Sequence, residues 1–207
     1  MPTKLFFELD RNKQMKIISV GISEFATYGF SNSSTNRIVK QSEISKGSLF
    51  KYFQNKEEFF FFILDAVATD LSENLDRATS NFSLELFQRV IDYATAELSW
   101  YIHNPEKSRL IMIAFSPNDT EIYPKVLARY GQKEQEIYYK LLEDITVDNF
   151  RWDRKMTIDI LKWFLKGFNE DFIGNVKMEQ HDFERIKNDY VKSLVAHMDM
   201  LKNGLLK

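Results

Sequence analysis

Residues 34–56 constrain the fold of this chain more than any other stretch. The segment STNRIVKQSEISKGSLFKYFQNK holds two short helical patterns on either side of a tight turn. Ser45 is a favourable N-cap, and Ile44 before it can pack on Leu49 as a hydrophobic staple, so a helix is predicted to begin at Lys46. Two short helices joined in this way predict a helix-turn-helix.

The second of these helices has one apolar and one basic face. Leu49 and Phe53 are four residues apart and are expected to face a core. The opposite face then carries Lys46, Gly47, Phe50 and Lys51. Lysines neutralise phosphate charge and a glycine lets a backbone approach closely, so the pattern favours nucleic-acid binding over a merely solvated surface.

A third helix start follows at once. Asn55 is a predicted N-cap with Glu58 at the capping-box position, which places Lys56 in the first helical turn. A cation there opposes the helix dipole, which favours anions at that end. Lys56 therefore indicates a phosphate partner, although exposed lysines at helix starts are common.

Composition narrows the class of protein. The chain has 207 residues, no cysteine and three histidines that are far apart in sequence, so we expect neither a disulfide, a metal site nor a cofactor. No apolar run approaches the roughly 18 residues that span a bilayer. These features predict a cytoplasmic protein that does not enter a membrane.

The charge is distributed unevenly. The net charge is −2, yet residues 1–55 hold eight Lys and Arg against four Asp and Glu, so they carry +4 and the remainder carries −6. A basic N-terminal part followed by an acidic remainder is the charge distribution expected when the N-terminal part of a chain binds DNA.

Helical periodicity covers most of the chain and no strand-type alternation of useful length occurs. Helices are predicted over 11–28, with Gly29 as a left-handed C-cap, from the SNSST turn to about 42, from 46, and over 56–79. Five further patterns cover about 83–103, 105–115, 120–145, 153–176 and 182–202. We predict an all-α protein of about nine helices, with a DNA-binding domain at 1–56 and a second domain at 57–207. Helix 57–79, which carries four consecutive phenylalanines from Phe59 to Phe62, links the two.

Residues 17–59 resemble the DNA-binding domain of the tetracycline-repressor (TetR) family. The resemblance is carried by Phe25-Ala26, Gly29-Phe30, Ile38, the run from Ile44 to Phe53, and Asn55-Lys56-Glu57. It covers about a quarter of the chain, and the remainder is similar to the family in helix number and length. The resemblance implies a sequence-specific transcriptional regulator, most simply a repressor, and no enzyme.

The resemblance also implies which residues meet a palindromic double-stranded operator. They are Thr35, Asn36, Arg37, Lys46, Gly47, Ser48, Phe50, Tyr52 and Lys56, and the basic face of the second helix adds Lys51. Three positions depart from the family pattern: Ser42 replaces alanine, Phe50 replaces tyrosine, and Glu43 replaces the turn glycine. Glu43 implies either a strained turn, at a cost of about 1 kcal/mol, or a slightly different backbone.

Members of the family form homodimers through their last two helices. The stretches 153–176 and 182–202 are independently suited to this because they are long and rich in large apolar residues. Candidate interface residues are Leu161, Phe168, Phe172, Phe183, Tyr190, Leu194, Met198 and Leu201. The alternative is that these stripes pack within the monomer's own core.

The resemblance implies a small apolar or amphipathic effector bound in the second domain. Candidate ligand-binding residues are Trp100, His103, Arg109, Phe115, Tyr130, Tyr138, Phe164 and Phe168. Each aromatic residue among them is individually more typical of a core. A competing hypothesis of another class is a helical small-molecule carrier or enzyme whose basic N-terminal part is incidental.

Overall fold

The computed structural model describes residues 2–142, 145, 151–175 and 183–205, without the side chains of 133–136, 138–140, 173–175 and 205. Within these residues the chain forms ten α-helices and no strand. They are α1 (Lys4–Phe7), α2 (Arg11–Tyr28), α3 (Thr35–Gln41), α4 (Lys46–Tyr52), α5 (Lys56–Thr79), α6 (Leu86–His103), α7 (Pro105–Ala114), α8 (Tyr123–Leu141), α9 (Arg154–Asn175) and α10 (Phe183–Leu205). The predicted all-α class is confirmed.

Helix starts at Lys46 and Lys56 coincide with the capping residues predicted from sequence. The Ser45 side chain accepts from the Ser48 amide at 3.0 Å, and the Asn55 side chain accepts from the Glu58 amide at 2.8 Å. At α9, which sequence periodicity predicted without a cap, Asp153 accepts from the Met156 amide at 2.9 Å. At the end of α2, Gly29 has a φ of 68°, in the left-handed region where glycine carries no Cβ penalty. Local side-chain chemistry therefore fixes these boundaries.

The prediction of about nine helices missed α1. Four residues form less than two helical turns, which are unstable in isolation, so periodicity gives no signal for such a helix. The Phe6 side chain of α1 is only 1% exposed. Packing against other elements therefore supplies the stability that the local sequence of α1 lacks. A second difference is that α8 ends at Leu141, short of the predicted 145.

The four phenylalanines at the start of α5 are packed on several sides, as the sequence predicts for a helix with aromatic residues on every face. Phe59 lies 4.7 Å from Phe53 between ring centroids, and Phe62 lies 5.2 Å from the same ring. Phe60 makes an edge contact with Phe25 at 5.0 Å. The helix-turn-helix and the start of α5 thus share one aromatic core.

The chain divides into two compact units. The first comprises residues 1–72 and 104–131, and in it α2 packs against α7; the second comprises 73–103 and 132–207, and in it α10 packs against α6 and α9. The functional boundary predicted at residue 56 stays a prediction, because compactness alone does not assign function. In the part of the chain that is described, no helix is long and apolar enough to cross a bilayer.

Candidate nucleic-acid interface

The start of α4 presents a polar and cationic surface. The Ser45 hydroxyl caps the helix by accepting from the Ser48 amide at 3.0 Å, and the two hydroxyls lie 2.8 Å apart. Lys46 and Gly47 are exposed beside this cap. The first turn of α4 therefore places a cation, two hydroxyls and a residue without a side chain on one exposed surface.

The two faces of α4 divide as the sequence predicts. Leu49 and Phe53 are 1% and 0% exposed in the core of the first unit. On the other face Lys51 is exposed, and Phe50 is 39% exposed although it is a large aromatic residue. An exposed aromatic ring beside lysines suits contact with sugars or thymine methyl groups.

Gly47 has no requirement for glycine within the protein. Its φ lies outside the left-handed region, and a Cβ added there would have only the Ser45 hydroxyl within 4 Å, at 3.8 Å. At Gly21, in contrast, an added Cβ would lie 2.7 Å from the Phe59 ring. Glycine weakens a helix by about 0.5–1 kcal/mol relative to alanine, so the packing of the protein itself gives no reason for a glycine at position 47.

Arg37, a predicted DNA contact, is held inside the first unit. Its guanidinium donates to both carboxylate oxygens of Glu24, whose side chain is 1% exposed, and to the Asn32 carbonyl at 3.1 Å. It also lies 4.0 Å from the Tyr28 ring centroid. The hydrogen bonds that Arg37 donates to Glu24 raise the pKa of the guanidinium. Sequence reasoning missed Glu24, for which a carboxylate among buried apolar positions was the available signal.

The neighbouring predicted contacts lie at the start of α3. The Glu24 carboxylate also accepts from the Ser34 amide at 2.7 Å, so the same buried anion fixes the N-cap of this helix. Asn36 is exposed and Thr35 is partly exposed on its first turn. The structure thus leaves Asn36 accessible and gives Arg37 a positioning contact.

Lys56 has internal partners as well. Its ammonium donates to the Phe30 carbonyl at 2.8 Å and lies 3.5 Å from the Ser33 carbonyl, with the Phe30 ring centroid at 4.4 Å. These contacts explain how a cation is accommodated at a helix start. Lys56 ties the 30–33 turn to α5, and its predicted phosphate contact stays a prediction.

The turn of the helix-turn-helix is strained at Glu43. Its φ is 54°, the left-handed conformation in which a glycine is favoured, so the first of the two sequence-based alternatives is the one observed. The Glu43 carboxylate forms an ion pair with Lys16 at 2.8 Å. The hydrogen bond from Lys16 lowers the pKa of Glu43.

The remaining predicted contact, Tyr52, is packed by a segment that sequence analysis overlooked. Its ring makes an edge contact with Phe6 at 6.2 Å, and its carbonyl accepts from the Thr3 amide at 2.8 Å.

The predicted effector residues fall in both compact units. In the first, Arg109 is exposed, and Phe115 lies 6.0 Å from the Tyr130 ring. Tyr130 is 7% exposed, and its hydroxyl donates to Asp65. Burial and then Asp65 raise the pKa of Tyr130, which is therefore neutral at physiological pH.

In the second unit Trp100 is buried and His103 is exposed. Phe164 stacks on Phe168 at 5.7 Å. The side chain of Tyr138 lies outside the described residues. Neither unit on its own brings the eight candidates together, and their role in ligand binding stays a prediction.

The predicted interface residues separate into two groups by exposure. Leu161, Tyr190, Leu194 and Met198 are at most 2% exposed, so contacts within the chain already account for their burial. Phe168, Phe172, Phe183 and Leu201 are partly exposed. Large apolar residues that sequence analysis left out are more exposed, notably Trp163 at 65% and Met200 at 73%.

Comparison with known proteins agrees with this geometry. Residues 17–62 match the family described as bacterial regulatory proteins, tetR family. A probable HTH-type transcriptional regulator of Bacillus subtilis, YttP, is 22% identical over 62% of each chain, and the transcriptional regulator AcuR of Cereibacter sphaeroides is 30% identical over 36% of this chain and 34% of its own. The chain thus spans less than two thirds of the length of either curated relative.

The fold is matched over a longer range. A TetR family transcriptional regulator from Chloroflexus aurantiacus J-10-FL superposes with a TM-score of 0.71 at 18% identity, covering 100% of this chain and 99% of that one. Residues 17–62 are therefore similar to the helix-turn-helix of the tetR family of bacterial regulatory proteins, and the chain shares the fold of a TetR family transcriptional regulator.

Proposed function

We propose that the protein is a sequence-specific DNA-binding transcriptional regulator, acting as a homodimeric repressor that a small apolar or amphipathic ligand releases from its operator. The observation that carries the proposal is the exposed surface of α4, where Lys46 lies beside a glycine that the protein itself does not require. A phosphate or base edge approaching that backbone accounts for both residues.

We infer a homodimer because each chain has a single short recognition helix. A single α4 contacts one half-site, and a two-fold pair places two such helices about 34 to 36 Å apart, one turn of DNA. Trp163 on α9 and Met200 on α10 are exposed in the single chain. Their exposure supports pairing through these helices, because a dimer interface would bury these large apolar side chains away from water.

If a ligand is to release the protein from DNA, a conformational change at the ligand site must alter the position of the helix-turn-helix. Within the first unit, Lys107 of α7 forms an ion pair with Asp70 of α5 at 2.7 Å, and Arg129 of α8 pairs with Asp65 of α5. These ion pairs connect α7 and α8 to α5, and the proposal is that a displacement of either helix reaches the helix-turn-helix along this route. A ligand that prefers one conformation changes operator affinity by its differential binding energy, typically about 1–3 kcal/mol.

The test begins with selection of bound sequences from a random DNA library by the wild-type chain, followed by titration at several salt concentrations. Lys46→Ala should weaken binding and reduce the slope of log K against log salt by about one unit. Arg77→Ala removes the same charge from an exposed position on α5 and serves as the matched control.

The outcomes separate the two classes of function. An unchanged slope in the Lys46 variant would exclude Lys46 as a phosphate contact. A monomer that enriches no sequence from the library would favour the alternative, a helical carrier or enzyme with an incidental basic domain.

A further inference from the structure

We propose that residues 3–7 form a clasp, consisting of Thr3 and α1, that positions α4 for DNA binding, with Thr3 and Phe6 as its positioning residues. The inference rests on the proposed DNA-binding function and extends the interface to a segment that precedes residues 17–62. The clasp acts through α4 and needs no DNA contact of its own.

Thr3 holds the C-terminal end of α4. Its amide donates to the Tyr52 carbonyl at 2.8 Å, and its hydroxyl donates to the Lys51 carbonyl at 2.7 Å. The last carbonyls of a helix have no partner within it, so an outside donor is needed to satisfy them. Although Thr3 is the N-cap residue of α1, its side chain makes no capping bond to that helix. The hydroxyl serves α4 instead.

Phe6 fixes the same end of α4 from its apolar side. The ring is 1% exposed and lies 5.0 Å from the Phe53 ring and 5.2 Å from Phe62 of α5. It also contacts Tyr52 by an edge interaction at 6.2 Å. Phe6 therefore joins the last turn of α4 to the aromatic core that α5 provides.

This support matters because α4 is short. Seven residues make two helical turns, a length at which an isolated helix is unstable in water. The Ser45 cap fixes its first turn, and Thr3 and Phe6 fix its last. Without the clasp, the C-terminal end of α4, which carries Lys51 and Tyr52, should fray. DNA binding must then reorder these residues, and this ordering costs free energy and weakens affinity.

The experiment uses the full chain and the DNA sequence that the wild type selects. Thr3→Val removes only the hydroxyl bond and should weaken binding roughly three- to tenfold, whereas Thr3→Ser should bind within about twofold of wild type. Phe6→Leu should weaken binding by a similar factor. The slope of affinity against salt should stay unchanged in all three, because no phosphate contact is lost.

Lys4→Ala distinguishes positioning from direct contact. Lys4 is exposed on α1, so a direct phosphate contact by this helix would lower the salt slope in that variant. Hydrogen exchange of the α4 amides should be faster in Thr3→Val than in wild type, with little change in α2.

Full affinity in both Thr3→Val and Phe6→Leu overturns the clasp, and so does a lowered slope in Lys4→Ala. If the wild type selects no sequence, it is the proposed DNA-binding function that fails, and the exchange rates of α4 still report whether Thr3 and Phe6 hold the helix.

Discussion

Replacing Gly47 with alanine should stabilise the protein and impair DNA binding at the same time. The added Cβ meets only the Ser45 hydroxyl, at 3.8 Å, so the folded chain accommodates it without a clash. Alanine improves helix propensity by about 0.5–1 kcal/mol relative to glycine. For a chain of this size, such a gain raises the melting temperature by about 1–4 °C.

The effect on binding should have the opposite sign. If the α4 backbone lies against DNA at Gly47, the new methyl group must displace DNA or tilt the helix, and overpacking of a close contact costs about 1–3 kcal/mol. Operator affinity should therefore fall by at least about fivefold, since 1.4 kcal/mol corresponds to a factor of ten. Opposite signs for stability and affinity distinguish an interface glycine from a purely structural one.

Gly131→Ala in α8 is the matched control, because a Cβ there would meet nothing within 4 Å and is likewise accommodated without a clash. It should raise the melting temperature similarly and leave DNA binding unchanged. Thermal unfolding followed by circular dichroism and titration of a labelled operator measure the two quantities. The reasoning is refuted if Gly47→Ala is stabilised and binds DNA as tightly as wild type.

The remaining predictions concern stability and involve substitutions at three positions. Glu43→Gly should raise the midpoint of urea unfolding at pH 7, because glycine adopts the positive φ of this position without strain. Glu43→Gln should lower that midpoint, because it removes the ion pair with Lys16. Because Lys16 lowers the pKa of Glu43 in the folded protein, the lower stability of Glu43→Gln should be fully present above the unfolded-state pKa of about 4.3. It should disappear as the pH falls through the pKa of Glu43 in the folded state. A stability difference that persists at pH 2 contradicts the role of the ion pair. Ser108→Ala should stabilise by about 1 kcal/mol, because the buried Ser108 hydroxyl has no hydrogen-bond partner in the described part of the chain, and a lower melting temperature would contradict this. Arg89→Met should destabilise by about 1–3 kcal/mol in urea unfolding, since buried Arg89 donates to the Leu141 carbonyl at 2.6 Å, and an unchanged midpoint would argue against that bond.

The elements of the fold that local chemistry determines were predictable. Ser45 and Asn55 set helix starts because their side chains satisfy amides three residues further on, and Gly29 ends a helix because its φ is positive. The division of α4 into a buried and an exposed face followed from helical spacing alone. None of these features needs knowledge of distant contacts.

The partners of individual charges were not predictable in the same way. Glu24 is thirteen residues from Arg37, and Lys56 donates to Phe30, twenty-six residues earlier. Only the packing of α2, α3 and α5 brings these groups together. The four-residue α1 was missed for the same reason, since its stability comes from the burial of Phe6 against other elements.

The structure separates the predicted cationic DNA contacts into two kinds. Lys46 and Lys51 are exposed on α4, whereas Arg37 and Lys56 are held by partners inside the first unit. A flexible lysine loses side-chain entropy when it binds a phosphate, but a cation that is already held loses less. Replacing Arg37 also leaves the buried Glu24 carboxylate without its cation, so its effect on affinity includes damage to the domain itself. Only the exposed lysines of α4 can therefore report the phosphate contact separately from folding, and a salt-slope experiment that used Arg37→Ala or Lys56→Ala would confuse the two.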